Sequence, residues 1–356
     1  MNRMSRSLIE PWTLGGVTIP NRVVLAPLAG IGNWFVRLQA KRYGAGMAVS
    51  EMVSSHALHY RNERTCREML RIHPDERPGG PVSIQLFGSD PDVMRSAAAR
   101  VAAAGADAID LNMGCPVPKV CKTGSGAALL DDPVRAVAVA RAAREGSGLP
   151  VTVKLRSGRR PGDESGFDLA HRLVAEAGVA AIAFHPRSAA VHHKGVPDYD
   201  LAARLAASLP APVILTGGLR DPASVDEAFR RTGVSAVMLA RGSLGNPWLF
   251  AQLLHRRAGE PEPAEVLDEL DWVMRRAAEH LGEERATRYL RKFYPWYIQR
   301  LELDRQTAKE LQAELQAAEA LPEARNRLAI LLGSLTPPVG EDPRLQAGFV
   351  LSSPNP

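Results

Sequence analysis

Residues 82–114 read VSIQLFGSDPDVMRSAAARVAAAGADAIDLNMG. Each end is a nearly continuous apolar run, Val82–Gly88 and Ala108–Gly114, as is typical of strands buried on both faces of a parallel sheet. Between them, Asp90–Ala104 is helix-like: Asp90 can cap it, Pro91 suits its first position, and Gly105 can end it. The stretch therefore predicts one strand–helix–strand unit.

The same unit repeats over the first 250 residues. Helix-like stretches recur at Asp132–Arg144, Phe167–Ala177 and Asp221–Arg231. They alternate with apolar runs, eight in all with the two quoted above: Val23–Pro27, Met47–Met52, Val151–Arg156, Ala181–Arg187, Pro212–Gly218 and Ala236–Gly242. Eight strand–helix units predict an α/β fold, a (β/α)8 TIM barrel.

A doubly wound open sheet is the main alternative fold. It would favour the glycine pattern G-x-G-x-x-G after its first strand. Here the first strand leads into Pro27-Leu28-Ala29-Gly30-Ile31-Gly32, in which the third glycine is missing. The sequence therefore favours the barrel.

The pattern changes after Phe250. Gly259–Pro263 (GEPEP) is typical of a linker, and the chain beyond it is rich in Ala, Leu, Glu and Arg. Helical periodicity predicts about four helices: Val266–Leu281, Glu284–Leu301, Thr307–Ala318 and Glu323–Leu332. We therefore predict a barrel domain over residues 1–254, an all-helical domain over 255–335 and a loose tail over 336–356.

Composition excludes several classes of protein. With 356 residues, 45% hydrophobic and 23% charged, the chain is neither disordered nor fibrous. Three cysteines favour a reducing compartment, and their spacing is poor for zinc, so we expect no metal. No leader-like or membrane-spanning apolar run is present, which predicts a cytoplasmic protein without membrane contact.

The net charge of +5 is unevenly distributed. Residues 1–254 carry 30 Lys and Arg against 22 Asp and Glu, whereas residues 255–335 carry 13 against 15. A basic excess raises the odds of a polyanionic partner without establishing one.

Polar residues gather at the predicted strand ends, where barrel enzymes carry their active sites. These residues are Gln85, Asn112, Cys115, Lys154, Arg156, His185 and Arg187. Glycines after the seventh strand, with Arg241 after the eighth, favour a phosphate site. An inward Lys154 needs an anionic partner, which a phosphorylated flavin would offer, and His185 could donate to the same ring or be an ordinary core histidine.

Cys115 directly follows the fourth strand, between Gly114 and Pro116. At a catalytic rim, its thiol could act as a nucleophile or as a proton donor. Cys121 could resolve an oxidised Cys115, whereas Cys66 is expected to be inert. A loop with Lys119 and Lys122 follows, and it suits a polyanion about as well as it suits solvent.

A basic segment in the predicted helical domain points to RNA. Residues 285–300 carry five basic residues and no acidic residue. Arg285, Arg288 and Lys292 have the spacing of one helix face, and aromatic residues are interleaved with them. We expect Phe293 and Trp296 to be mostly core residues, and Pro295 to bend or break the helix.

Several ordered motifs together resemble one family. The most specific is LNMGCPVPKVCKTGSGAALL (111–130), and APLAG, YGAGMAVSEMVSS, VSIQLFG, VTVKLRSG, FHPRS and MLARGSLGNPWLF accompany it. Over about residues 17–335 the chain resembles the tRNA-dihydrouridine synthases, especially their bacterial B-type branch. RKFYPWYI (291–298) looks like the tRNA-contacting segment of that family.

The resemblance implies a reaction and a set of site residues. In the family, NADPH reduces FMN, the flavin passes hydride to C6 of a tRNA uridine, and a cysteine protonates C5 to give 5,6-dihydrouridine. The cysteine falls on Cys115. The flavin contacts fall on Pro27, Leu28, Ala29, Gln85, Lys154, Thr216, Gly217, Gly218, Ala240 and Arg241, with His185 near the ring. We expect tRNA contacts at Asn112, Lys119, Arg187, Arg285, Arg288, Arg291 and Lys292.

The chain departs from the family pattern at several positions. Gly32-Asn33 replaces the usual Thr-Asp, Phe35-Val36 replaces the usual Pro-Phe, and Thr216 replaces an Asn. Val191 and His193 stand where the family often has Gln and Tyr. These departures concern substrate contacts more than the flavin or Cys115.

Two other functions remain open at this point. One is an FMN barrel that reduces a free small molecule, and the other is an RNA-binding protein without turnover. The basic segment argues against the first, and Cys115 with Lys154 argues against the second. Nothing in the sequence requires a dimer, so we expect a monomer.

Overall fold

A computed structural model of the chain describes residues 6–335. Within them, the strands are β1 (Trp12–Leu14), β2 (Val17–Ile19), β3 (Val23–Leu25), β4 (Met47–Ser54), β5 (Val82–Phe87), β6 (Ala108–Met113), β7 (Val151–Arg156), β8 (Ala181–His185), β9 (Val213–Thr216) and β10 (Ala236–Leu239). Strands β3 to β10 are parallel neighbours in chain order, and β10 pairs with β3 to close the barrel. The predicted (β/α)8 barrel and each of its strands are confirmed.

Helices connect the barrel strands. They are α1 (Trp34–Arg42), α2 (Ser55–His59), α3 (Pro91–Ala103), α4 (Pro118–Cys121), α5 (Pro133–Ser147), α6 (Ser165–Ala177), α7 (Tyr199–Ser208), α8 (Pro222–Thr232) and α9 (Trp248–Leu253). The predicted helix start at Asp90 is confirmed, because its carboxylate accepts hydrogen bonds from the N–H groups of Asp92 and Val93. Gly178 and Gly233 end α6 and α8 in left-handed conformations, as their positions before the next strand predict.

An antiparallel hairpin of β1 and β2 precedes the barrel and was not predicted. Leu14 and Ile19 are fully buried, in one core cluster with Ala108 and Ala181, the first residues of β6 and β8. A Cβ placed on Gly15 at the hairpin turn would lie 2.8 Å from Pro150, which directly precedes β7. The hairpin therefore covers the amino-terminal end of the barrel.

The described residues divide into two compact units between Glu260 and Pro261, six residues after the boundary predicted from the sequence. The second unit contains α10 (Pro263–Leu281), α11 (Glu283–Leu290), α12 (Tyr294–Ile298), α13 (Arg305–Ala317) and α14 (Leu321–Leu335). The predicted tail over 336–356 lies outside the described residues.

The helix predicted over Glu284–Leu301 is wrong as a single element. It is two helices, α11 and α12, because the chain leaves helical pairing after Leu290 and Pro295 lies in the first turn of α12. Phe293 is buried, as expected, whereas Trp296 is only half-buried. Among the helices of residues 6–335, none has both the length and the apolar composition of a membrane span.

Candidate active site

The common direction of the eight parallel strands brings the predicted polar residues to one end of the barrel. Asn112 pairs with Lys154 between β6 and β7, and Arg156 pairs with His185 between β7 and β8. Thr216 ends β9 and is buried. Since the carboxyl ends of parallel strands share one rim, these residues and the loop that carries Cys115 form a single polar site.

The backbone around Cys115 is held on both sides. The side-chain oxygen of Asn112 accepts hydrogen bonds from the N–H of Cys115 at 2.9 Å and from the N–H of Gly114 at 3.3 Å. The carbonyl of Cys115 accepts from the N–H of Ala127 at 3.0 Å. Gly126 approaches so closely, with φ +63°, that a Cβ there would lie 2.7 Å from that carbonyl. The half-buried thiol therefore sits on a constrained loop.

Arg156 joins the Cys115 loop to the loop after β8. Its Nε donates to the carbonyl of Gly114 at 2.9 Å, and its Nη1 donates to the carbonyls of Ser188 and His192. Burial lowers the pKa of Arg156 to about 10, and nearby Cys115 opposes that shift. The guanidinium stays charged at neutral pH and holds two loops of the rim in place.

Lys154 is a cation of the barrel interior. Burial and the neighbouring Arg156 lower its pKa to about 8, and Asp110 opposes the shift. A lysine with that pKa is mostly protonated at pH 7, and in an enclosed position it favours an anionic or electron-rich ligand.

His185 is held in one tautomer by Arg187. Nη1 of Arg187 lies 3.2 Å from Nε2 of His185, and because a guanidinium can only donate, Nε2 accepts and the ring proton is on Nδ1. Burial and the positive charge of Lys154 lower the pKa of His185 well below 6.5, so the ring is neutral. Arg187 is itself buried and also donates twice to the carbonyl of Gly195. Its expected contact with tRNA stays a prediction.

The loop after β9 forms a tight glycine cradle. Gly217 and Gly218 have φ of +102° and +84°, which favours glycine at both positions. A Cβ on Gly217 would lie 2.5 Å from the ring of His185, and one on Gly218 would lie 2.5 Å from the hydroxyl of Tyr199. That hydroxyl donates to the carbonyl of Gly217 at 3.0 Å and fixes the loop.

The donor set and the cradle fit a phosphorylated flavin. Two successive glycines allow a close backbone approach to a phosphate, and exposed Arg241 follows at the end of β10. Lys154, His185 and Gln85 offer donors deeper in the barrel. Pro27, Leu28, Ala29 and Ala240 lie at the same strand ends, as predicted.

A cavity of about 870 Å³ opens beside the Cys115 loop. Its lining includes Pro116, Cys121, Lys122, Arg159, Arg160 and His192. Cys121 Sγ donates to the carbonyl of Cys115 at 3.3 Å, and both cysteines are free thiols. Lys119 is exposed nearby.

The basic segment lies in the second unit. Arg288, Arg291 and Lys292 are exposed, whereas Arg285 is half-buried. The expectation that Arg285, Arg288 and Lys292 share one helix face is wrong, because α11 ends at Leu290. The Lys292 ammonium instead lies 4.0 Å from the centre of the Tyr289 ring.

Two departures from the family pattern have a structural explanation. A Cβ on Gly32 would lie 2.8 Å from the backbone nitrogen of Glu51, so the loop after β3 is too close for a larger residue. Asn33 caps α1 by accepting a hydrogen bond from the N–H of Val36. Val191 and His193 lie in the loop after β8, where the His193 ring is 6.3 Å from the His185 ring.

Three site residues were not predicted from the sequence: Asp110, Thr152 and Tyr199. A charged residue inside an apolar strand is the sequence signal that could have identified Asp110, as it does Lys154. Tyr199 gave no local signal, because its contact with Gly217 depends on the fold. Within residues 6–335, no group of three or more His, Cys, Asp or Glu side chains could hold a metal ion.

Sequence comparisons show where the chain has relatives. The family model described as dihydrouridine synthase matches residues 24–332. The chain is 35% identical over 293 residues to tRNA-dihydrouridine synthase B of Pseudomonas aeruginosa, covering 80% of this chain and 86% of that protein. It is 33% identical to the protein of that name from Xanthomonas campestris, covering 92% and 98%. A probable tRNA-dihydrouridine synthase of Mycobacterium tuberculosis is 38% identical, covering 80% and 76%.

Solved structures with a similar fold include two reductases. Morphinone reductase in complex with tetrahydroNAD aligns with TM-score 0.51 at 16% identity, covering 74% of this chain and 94% of that one. A 2-naphthoyl-CoA reductase complex aligns with TM-score 0.57 at 14% identity, covering 70% and 52%. At these identities the likeness concerns the fold.

Proposed function

The chain belongs to the dihydrouridine synthase family, and from that premise we propose that it reduces the C5=C6 bond of uridines in tRNA, with FMN as bound cofactor, NADPH as reductant and Cys115 as the acid. One observation carries the proposal. The constrained Cys115 loop stands on the same barrel rim as Lys154, neutral His185 and the glycine cradle. A thiol and a flavin-compatible donor set thus face one site.

The cofactor residues follow from the fit described above. Gly217, Gly218 and Arg241 would hold the phosphate, and Gln85, Lys154 and His185 would hold the ring. When bound, FMN supplies the hydride equivalent that the uracil receives at C6. Lys154 contributes positive charge in a site that is shielded from water. This charge stabilises the negative charge that develops on the reduced flavin or on the uracil.

Cys115 supplies the proton. Hydride addition at C6 moves electron density toward O4 of the uracil, and C5 then needs a proton. The Sγ–H bond breaks, C5–H forms, and the thiolate regains a proton from solvent. Asn112 and Arg156 contribute by fixing the backbone on which the thiol is carried.

The second unit supplies cationic side chains for RNA. Arg288, Arg291 and Lys292 are exposed and within five residues of one another, and Lys119 is exposed beside the Cys115 loop. Such side chains bind phosphates and give a salt-dependent affinity. The target uridine must leave its stack to reach a site inside a barrel rim. The same proposal places the enzyme in the cytoplasm with its tRNA substrate, as a monomer.

The deciding experiment incubates unmodified tRNA with the purified protein and NADPH and maps modified nucleosides by mass spectrometry. We expect a gain of about 2 Da at a defined uridine, the mass of one added hydride and one proton. Cys115→Ala should abolish most of this product while it retains bound flavin. Cys66→Ala is the matched control and should form product at the rate of the unaltered protein.

The other outcomes separate the remaining functions. A yellow, NADPH-reducible protein that yields no modified tRNA would favour a barrel reductase of a free small molecule. Specific tRNA binding by flavin-free protein without product would favour a non-catalytic RNA-binding role. Unchanged turnover in Cys115→Ala would refute the proton-donor role while leaving the reaction in place.

A further inference from the structure

Asp110 is a fully buried carboxylate inside the barrel. Both of its oxygens accept hydrogen bonds: Oδ1 from the hydroxyl of Thr152 at 2.5 Å and Oδ2 from Nε2 of Gln85 at 2.6 Å. The three residues are lateral neighbours on β5, β6 and β7, since Gln85 pairs with Asp110 and Asp110 pairs with Thr152. The role proposed above for the site does not use Asp110.

The carboxylate determines how the Gln85 amide is oriented. An ionised carboxylate can only accept, so Gln85 must turn its NH₂ group toward Asp110. Its carbonyl oxygen then points the other way, where Nδ2 of Asn112 donates to it at 3.0 Å. The orientation of the first amide therefore fixes that of the second.

The chain of bonds ends on the backbone of the reactive cysteine. Because Asn112 turns Nδ2 toward Gln85, its Oδ1 is left to accept from the N–H groups of Cys115 and Gly114. A reversed Asn112 would set an NH₂ group against two N–H donors. The two amides satisfy an acceptor at one end and donors at the other in a single orientation only.

We propose that Asp110 is a positioning residue that orients Gln85 and Asn112 in series and so fixes the backbone of Cys115. These three side chains and the Cys115 N–H are called the amide relay below. The inference rests on the proposed function for its catalytic meaning, since a fixed Cys115 matters to an enzyme that uses its thiol as an acid. Its structural content is independent of the reaction.

Burial makes Asp110 costly to keep, which argues that it does more than fill space. Desolvation raises its pKa to about 6, against the lowering effects of its two hydrogen bonds and of Lys154. A competing explanation is that Asp110 only balances the charge of Lys154. The two explanations predict different effects of Asp110→Asn, because this substitution removes the charge but keeps an acceptor oxygen.

The test compares Asp110→Leu, Asp110→Asn and Thr152→Val in the full-length protein by amide hydrogen exchange resolved to single residues. In Asp110→Leu, the Gly114 and Cys115 amides should exchange about five- to tenfold faster, as expected for loss of a fixed acceptor. In Asp110→Asn, the oxygen still accepts from Gln85, and Thr152 can redirect its hydroxyl toward the carbonyl of Ile109 at 3.5 Å. Exchange should then stay within about twofold of the unaltered protein.

Thr152→Val is the matched control. It removes the other hydrogen bond of Asp110, leaves the amide relay whole, and should leave the Gly114 and Cys115 amides unchanged. In all variants the ladder amides of β9, Val213–Thr216, report whether the barrel is intact. If Asp110→Leu fails to fold, Gln85→Leu breaks the relay at its next member and must speed exchange at the same two amides.

Activity gives a second and separable readout. Asp110→Leu should lower kcat by about 10- to 100-fold with an unchanged KM for tRNA, because the thiol is misplaced rather than removed. Asp110→Asn should retain most of kcat. Unchanged Gly114 and Cys115 exchange in a folded Asp110→Leu protein overturns the proposal, and so do equal effects of the Leu and Asn variants. If no variant, nor the unaltered protein, modifies tRNA, the proposed function fails, and the exchange result still decides the relay.

Discussion

Replacing Arg37 with methionine should destabilise the barrel unit far more than the same change at an exposed arginine. Arg37 on α1 and Glu76, in the turn Pro74–Glu76, form an ion pair whose side chains are 1% and 0% exposed. Nε and Nη2 of Arg37 donate to the two carboxylate oxygens at 2.8 and 3.0 Å. The pair joins segments 39 residues apart.

The expected loss in the free energy of unfolding follows from the interactions that Arg37→Met removes. Two charge-assisted hydrogen bonds disappear, together with the donations to the carbonyls of Gly32 and Arg71. The Glu76 carboxylate still accepts a hydrogen bond from the N–H of His73, and Lys41 remains as a nearby cation. Removing one partner of a buried pair lowers the free energy of unfolding by about 3–5 kcal/mol. We expect a loss near ~3 kcal/mol here, because Lys41 still partly compensates the charge of Glu76.

Arg204 provides the matched control. It also forms an ion pair with a glutamate 40 residues away, Glu164, through two hydrogen bonds. In contrast to the buried pair, the side chains of Arg204 and Glu164 are 58% and 43% exposed. Solvent screening reduces such a pair to about 0–1 kcal/mol. The two variants thus differ in burial at similar bonding geometry and sequence separation.

Urea unfolding at 25 °C, followed by tryptophan fluorescence and circular dichroism, measures both costs. We expect a loss of about 3 kcal/mol for Arg37→Met and at most about 1 kcal/mol for Arg204→Met. Adding Glu76→Gln to Arg37→Met should recover part of the loss, because the uncompensated charge is gone. Equal losses in the two single variants, or a double variant no more stable than Arg37→Met, would refute the reasoning.

Three further predictions concern the proposed site. Gly217→Ala should displace the His185 ring by about 1 Å and lower turnover on the order of 100-fold. Gly162→Ala, with a similar positive φ but open space, should cost about 1–2 kcal/mol of backbone strain and leave turnover unchanged. FMN affinity, measured by flavin fluorescence, should fall as pH rises through about 8. The reason is that Lys154 is charged below its lowered pKa of about 8 and neutral above it. Lys154→Met should bind FMN more weakly, and its affinity should not change with pH in this range. Alanine at the exposed basic residues Arg288, Arg291 and Lys292 should weaken tRNA binding. The slope of log affinity against log salt should fall by about 1 for each phosphate that is no longer bound. Lys309→Ala, at another exposed lysine of the same unit, should leave the affinity and the slope unchanged.

Local patterns were enough to predict the barrel and most of its rim. Apolar runs with capped helices between them determine where strands begin and end, and the polar residue at each strand end follows from that order. The hairpin was missed although Gly15-Gly16 is a turn signal between Leu14 and Val17, because strands of three residues give almost no periodicity.

The remaining features depend on the folded backbone, which local sequence patterns do not show. The sequence predicts a substrate contact for Arg187 but does not show that its side chain also bonds to His185 and to the carbonyl of Gly195. The basic segment has helical spacing, but the spacing does not reveal that α11 stops at Leu290. The amide relay joins neighbouring strands and becomes visible only in the strand register.

The hairpin over the amino-terminal end of the barrel has a kinetic consequence. Within residues 6–335, Leu14 and Ile19 cover that end, so the opening at the carboxyl ends of the strands is the route to the proposed site. Under the proposed function, a nicotinamide and a uridine that react at one flavin through this opening would occupy the site in turn. Steady-state turnover should follow a ping-pong scheme, with parallel lines in double-reciprocal plots and each substrate inhibiting competitively against the other at high concentration.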